Sequence, residues 1–169
     1  MSESKRKVVI YTDGAALGNP GPGGYAAVIL TGAQRREITG GYRLTTNNRM
    51  ELMAAIEGLR AVPEGSEITL YTDSRYLADA INLKWIYGWK ARNWRKYSKD
   101  KVLNVDLWKL LLQQFDRHAV RIVWVEGHAG VRENERADLL SVRAAQRKDL
   151  PADMGYEKPA GDEGQPALL

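Results

Sequence analysis

The feature that most constrains this chain is a pair of short apolar runs, Lys7 to Asp13 (KVVIYTD) and Ile68 to Asp73 (ITLYTD), each closing on an aspartate. Runs this short and apolar, followed by turn-prone or helix-starting residues, read as buried strands. A third run, Val120 to Val125, reads as another inner strand. Between the first two lie GYAAVIL and REITGGYRL, joined by TGAQ, a hairpin signal that makes the first three strands an antiparallel meander. Asn48 to Ala61 then carries Met50, Leu52, Met53, Ile56 and Leu59 near helical spacing, until Pro63 stops it. A helix that joins two strands of one sheet normally leaves them parallel and adjacent. Asp13 and Asp73 are therefore expected at the same sheet edge, on strands about 4.8 Å apart.

Downstream, Ser74 to Ile81, Leu83 to Lys90, Asn104 to Arg117 and Val131 to Arg147 read as helices, giving an α/β chain. At 169 residues it is about the size of one domain with one core. The expected division is a main domain over 1–149, with a basic element at about 84–101, and a flexible tail over 150–169. That tail holds three Pro and three Gly in its 20 residues with little periodicity. The YTD echo is too short to count as an internal repeat.

Composition removes whole classes of chemistry. With no cysteine and two histidines, disulfide scaffolds, thiol nucleophiles and zinc ribbons are excluded, so a bound metal must be held mainly by carboxylates. Such donors favour hard cations such as magnesium, manganese or calcium. The charged start MSESKRKVVIYTDG is no signal-peptide core, and no apolar stretch is long enough for a membrane helix, so a cytoplasmic location is expected. Residues 84–101 hold five Lys and two Arg against one Asp, a net +6, which leaves the rest of the chain at −2. One basic, aromatic-rich element on a slightly acidic body is the footprint of a polyanion reader.

Four acids stand out by position: Asp13, Glu51, Asp73 and Asp138. Each has a plain structural explanation. Asp13 before Gly14 can shape a turn, Asp73 can cap the helix after it, Glu51 fits a capping box with Asn48, and Asp138 can sit on a solvated face. Together they suggest more, because both strand-end acids point to the carboxyl edge of the sheet, where open α/β folds place their sites. Clustered carboxylates repel unless divalent cations compensate them.

The blocks YTDGAALGNPGPGGYA, TTNNRMELMAAIEGL, LYTDSRYL, NVDLW and WVEGHAGVRENERAD stand in an order and spacing that closely resemble type I ribonuclease H of bacterial type, over residues 6 to about 148. The resemblance implies a ribonuclease H-like fold: a five-stranded mixed sheet, three antiparallel strands then two parallel, flanked by helices on both faces. It implies an endonuclease that cuts the RNA strand of RNA/DNA hybrids, leaving 5'-phosphate and 3'-hydroxyl ends, nearly independent of sequence. By the same resemblance Asp13, Glu51, Asp73 and Asp138 match the metal-binding carboxylates. They would hold two Mg2+ ions, or Mn2+ in their place, one activating water and the other stabilising the leaving oxygen. His128, in the loop GHAG, matches a histidine that assists proton transfer or product release. Taken alone it reads as a loop histidine bonded to backbone.

Thr45-Thr46-Asn47-Asn48 brings hydroxyls, amides and a helix start together, which suits either a phosphate seat or simple capping. The resemblance implies that Asn19, Asn47 and Asn48 lie near RNA 2'-hydroxyls and that Thr46 belongs to a DNA-phosphate pocket. It also implies that the basic element grips the DNA strand, with Trp85 and Trp89 near its sugars and Lys90, Arg92, Arg95 and Lys96 supplying charge. For Trp94, a place in a small core carries equal weight. Arg75 stands where relatives often carry Gln near the RNA, which points it to phosphate, and Ala16 replaces a small polar or Cys residue. The chain is expected to act as a monomer, and contact with a single-strand binding protein is left open. Two rivals are a noncatalytic hybrid-binding module, which four intact acids argue against, and another nuclease of the same broad fold. Among the latter, a transposase, resolvase or reverse-transcriptase nuclease domain is disfavoured by the TTNNRMEL and GHAG blocks.

Overall fold

The computed structural model describes residues 5–159. Its strands are β1 (Lys7–Ala16), β2 (Gly21–Thr31), β3 (Gln34–Thr45), β4 (Glu67–Thr72) and β5 (Ala119–Trp124). They form one sheet in the order β3-β2-β1-β4-β5, with β1, β2 and β3 antiparallel and β4 and β5 parallel to β1. This is the five-stranded mixed sheet expected. The hairpin from β2 to β3 closes as the TGAQ link predicts, with Thr31 paired to Gln34 and Gly32 at positive φ in the turn. That left-handed conformation costs glycine nothing.

The helices are α1 (Asn47–Arg60), α2 (Arg75–Asn82), α3 (Trp85–Ala91), α4 (Val105–Arg117), α5 (Arg132–Ala145) and α6 (Met154–Glu157). Residues alternate faces along a strand, and two neighbouring glycines of β2 show what covers each face. A Cβ on Gly23 would run into the Met50 side chain of α1, and one on Gly24 into the Ser141 carbonyl of α5. Helices therefore cover both faces. The main core lies under α1 and α4, where Ile10, Ile56, Leu59, Leu70, Trp108 and Leu111 are fully buried. Each such aliphatic side chain contributes about 1.5–3 kcal/mol by leaving water.

Three expectations need correction. The run from Val120 is not an inner strand, because β5 is the last strand of the sheet and only Ile122 in it is fully buried. Its apolar residues pack against helices rather than between two strands. β1 does not stop at Asp13 either, since pairing with β2 runs on to Ala16. The tail is not loose where it begins. Residues 150–159 fold back, with the Arg43 amide donating to the Pro151 carbonyl at 2.8 Å and Arg43 gripping Glu157 through two bonds of 3.0 Å. The remainder of the 150–169 expectation lies outside the described residues.

Candidate active site

β1 and β4 run parallel in a register that pairs Tyr11 with Tyr71, and the two rings stack with centroids 4.7 Å apart. Two residues further on, and so on the same face of each strand, come Asp13 and Asp73. The echoed YTD is thus a physical pair. The Thr12 hydroxyl donates to the Tyr71 carbonyl at 3.2 Å, and the Thr72 hydroxyl accepts from the Ser74 amide, fixing where β4 ends.

Glu51 arrives from α1 by close approach of that helix to β1. A Cβ on Gly14 would collide with the Met50 and Glu51 backbone, so only glycine lets the helix sit this near. Carboxylate oxygens of Asp13, Glu51 and Asp73 all lie within 4.8 Å of one another. Asp138, on α5, lines the same cleft of about 380 Å³, together with Asn47, Asn48, Arg75 and Tyr76. The four acids predicted from separate blocks are therefore brought to one cleft, three of them close enough to share a cation.

The capping explanations fail for two of them. Thr46, not Asn48, caps α1, accepting from the Arg49 amide at 3.2 Å, which leaves Glu51 outside any capping box. Ser74, not Asp73, caps α2, accepting from the Leu77 amide. Asp13 does accept from the Gly14 amide at 2.9 Å, but inside a strand rather than in a turn.

The electrostatics are those of a site short of positive charge. Burial pushes the Asp13 carboxyl up to about 8, with the negative charges of Asp73 and Asp138 adding to the rise and contact with Glu51 opposing it. Burial also raises Glu51 well above the carboxylate range, and Asp13 and Asp73 push it further. Glu51 Oε1 is buried without a hydrogen-bond partner. A donor set made only of carboxylates, with one buried oxygen unsatisfied, fits a hard divalent cation.

The other predicted residues spread around this cleft. Asn47 is tied at both ends, its Oδ1 accepting from the Ala16 amide at 2.6 Å and its own amide donating to Asn19 Oδ1 at 3.1 Å. Asn19 precedes Pro20 through a cis peptide bond. The Arg75 guanidinium lies 3.7 Å from the centre of the Trp124 ring, and the Trp124 indole donates to the Asp73 carbonyl at 3.1 Å. His128 is exposed on the loop between β5 and α5 with φ of 58°, and it is not among the residues lining the cleft. The same loop touches the cluster through Gly127, where a Cβ would meet Asp73 Oδ2 at 2.9 Å.

In the basic element Trp85 is 48% exposed, whereas Trp89 packs edge-on against Trp108 and Trp94 also lies against the core. The core reading of Trp94 is thus the structural one. Lys90, Arg95 and Lys96 are exposed, and the half-buried Arg92 stacks on Tyr97.

Sequence reasoning passes over a second cluster. Arg49, only 3% exposed, is held by Asp106 and Asp153 in paired bonds of 2.7 to 3.0 Å. Arg49 and Asp106 stand inside the TTNNRMEL and NVDLW blocks, but Asp153 lies in the stretch that reads as tail. Tyr76, whose hydroxyl accepts from Asn104 and Trp108, carries no signal of its own in the sequence either.

The ribonuclease H family model matches residues 5–146. A ribonuclease H of Syntrophus aciditrophicus is 56% identical over 154 residues, covering 91% of this chain and 89% of that one. A ribonuclease HI of Synechocystis is 48% identical over 159 residues, covering 94% and 99%. Among solved structures, LC9-RNase H1, a type 1 RNase H with the type 2 active-site motif, superposes with a TM-score of 0.76 at 34% identity, covering 86% of this chain and 74% of its own. A match across most of the sequence, together with this sheet and this acid cleft, identifies the chain as a member of the ribonuclease H family, in its bacterial type I branch.

Proposed function

We propose that this chain is an endoribonuclease that hydrolyses the RNA strand of RNA/DNA hybrids, using two divalent cations held by Asp13, Glu51, Asp73 and Asp138. The observation that carries the reading is the convergence of three carboxylates, from β1, α1 and the residue after β4, within 4.8 Å of one another, with Asp13 and Glu51 held above their ordinary range by burial and by neighbouring negative charge. Bound at such a cluster, Mg2+ or Mn2+ supplies a nucleophile at neutral pH and offsets the charge that develops on the leaving 3'-oxygen.

The protein's own part is placement. Asp13 and Asp73 are fixed by the parallel register and Glu51 by the Gly14 contact, so the ligands need little rearrangement to receive a cation. Trp124 holds the Asp73 backbone carbonyl, and Arg75, stacked on that indole and lining the cleft, is directed to a phosphate of the RNA strand. His128, exposed on its loop, assists proton transfer or product release from outside the cleft. Asn19, Asn47, Asn48 and Thr46, gathered at the start of α1 where Asn47 bonds to Asn19 and Thr46 caps the helix, read the minor groove and a DNA phosphate.

The basic element, through Lys90, Arg92, Arg95, Lys96 and the exposed Trp85, holds the DNA strand, and Trp89 supports it from the core side. A monomer in the cytoplasm belongs to the same proposal. Among the described residues no helix is long and apolar enough to cross a membrane. The test is incubation with labelled RNA/DNA hybrid, duplex RNA and duplex DNA, each with and without Mg2+. The expected result is cleavage of the RNA strand of the hybrid alone, and only with the metal. Cleavage of duplex DNA, or metal-independent cleavage, contradicts it.

A further inference from the structure

The cluster around Arg49 joins the C-terminal segment to the place where α1 begins. Asp153, 5% exposed, accepts from the Thr45 hydroxyl at 2.7 Å and from Arg49 Nε and Nη2 at 2.8 and 3.0 Å. Thr45 and Arg49 bracket three residues, Thr46, Asn47 and Asn48. One carboxylate therefore clamps both ends of the turn that faces the cleft. The far side of Arg49 is tied by Asp106 and Asn104 at the start of α4, and Asn104 reaches Tyr76, which lines the cleft. Gly155 completes the fit, since a Cβ there would collide with Asp106 and Arg49. The segment lies beyond residue 146, where the family match ends.

We infer that the segment from Pro151 to Glu157 is a substrate-positioning element, with Asp153 as the positioning residue that holds Thr46, Asn47 and Asn48 in register with the hybrid. The inference rests on the reading of those three residues as substrate contacts. Charge-assisted bonds to a buried carboxylate are short and strong, and this one removes the freedom of a turn that otherwise has to be ordered when substrate binds. Losing the clamp therefore acts on KM more than on kcat, because the acid cluster has its own supports in β1, β4 and Gly14.

The experiment compares Asp153→Asn, Thr45→Val and Thr45→Ser with the unaltered protein, measuring steady-state kinetics on an RNA/DNA hybrid and amide hydrogen exchange at residues 46–49. Asp153→Asn and Thr45→Val are expected to raise KM by about five- to tenfold with kcat within about twofold, the size of one or two missing hydrogen bonds. Both should also speed exchange at Asn47 and Arg49, whose amides donate to Asn19 and Thr46. Thr45→Ser, which keeps the hydroxyl, should restore both readouts. Unchanged exchange in Asp153→Asn and Thr45→Val overturns the positioning role alone. Faster exchange with an unchanged KM overturns the assignment of Thr46, Asn47 and Asn48 as substrate contacts, and the inference with it. Thr45→Val keeps the test open if Asp153→Asn fails to fold.

Discussion

Two charge clusters meet α1 two residues apart, at Arg49 and at Glu51, and they differ in one respect. Around Arg49, one guanidinium faces Asp106 and Asp153, and every charge has a partner within 3.0 Å. Around Glu51, Asp13 and Asp73 there is no positive side chain among the coordinating groups, and Glu51 Oε1 has no partner at all. The pKa directions record the contrast. Burial opposes ionisation of Asp106, yet Arg49 more than offsets it and keeps that carboxyl low, whereas burial and repulsion together raise Asp13 and Glu51. A cluster that carries its own cation serves structure, and one that lacks it is built for a cation from outside.

The largest effect that separates them is on turnover. Asp13→Asn or Asp73→Asn should lower cleavage by at least about a thousandfold, because metal-ion stabilisation supplies several kcal/mol of the barrier reduction. Hybrid binding should persist through the basic surface. Turnover and hybrid affinity, measured side by side, check both statements, and retained turnover in either variant breaks the metal assignment.

Next comes stability. Arg49→Met leaves Asp153 buried without its cation, so denaturant unfolding should register a loss of about 3–5 kcal/mol, the usual cost of breaking a buried pair. Asp13→Asn, which removes repulsion, should leave stability equal or higher in the absence of metal. If both variants destabilise alike, the two clusters are not different in kind.

A smaller effect sharpens the role of the basic element. Replacing Lys90, Arg95 and Lys96 with Ala should reduce the slope of log affinity against log salt by about two to three, at roughly one for each phosphate no longer neutralised. An unchanged slope would remove this element as the phosphate grip.

The pH dependence separates the two clusters as well. Asp13 is raised from 3.8 to about 8 on folding, so the folded state holds that proton more tightly. The stabilisation it gives is complete below pH 3.8 and is lost as pH climbs to about 8. In metal-free protein the cleft should thus lower Tm across that window, and Asp13→Asn should flatten the decline. A decline of the same depth in that variant would assign it to other groups.

The degree to which the sequence discloses all this follows the kind of signal. Asp13 and Asp73 are readable because short apolar strands and a crossover helix dictate where their ends fall, whereas Glu51 and Asp138 join them through the resemblance of their sequence blocks. The YTD echo, too short for a repeat, marks two strands in parallel register with stacked tyrosines. That pairing is a tertiary fact that three residues of sequence cannot announce. β5 reads wrongly as an inner strand because an apolar run looks the same whether another strand or a helix covers it. The docking of residues 150–159 is hidden for a different reason: Asp153 and Glu157 bond to Arg49 and Arg43 across more than a hundred residues. A Pro- and Gly-containing stretch with such partners has no periodicity to detect.

The most direct test of the central claim is calorimetric titration of Mg2+ into metal-free protein at pH 7, in two buffers of different ionisation enthalpy. A cluster that holds a proton because its carboxyls are buried and face other negative charges must release it when a cation arrives, so binding should liberate protons in the unaltered chain and do so far less in Asp13→Asn. Equal heats in both buffers, or identical proton release from the variant, would contradict the account.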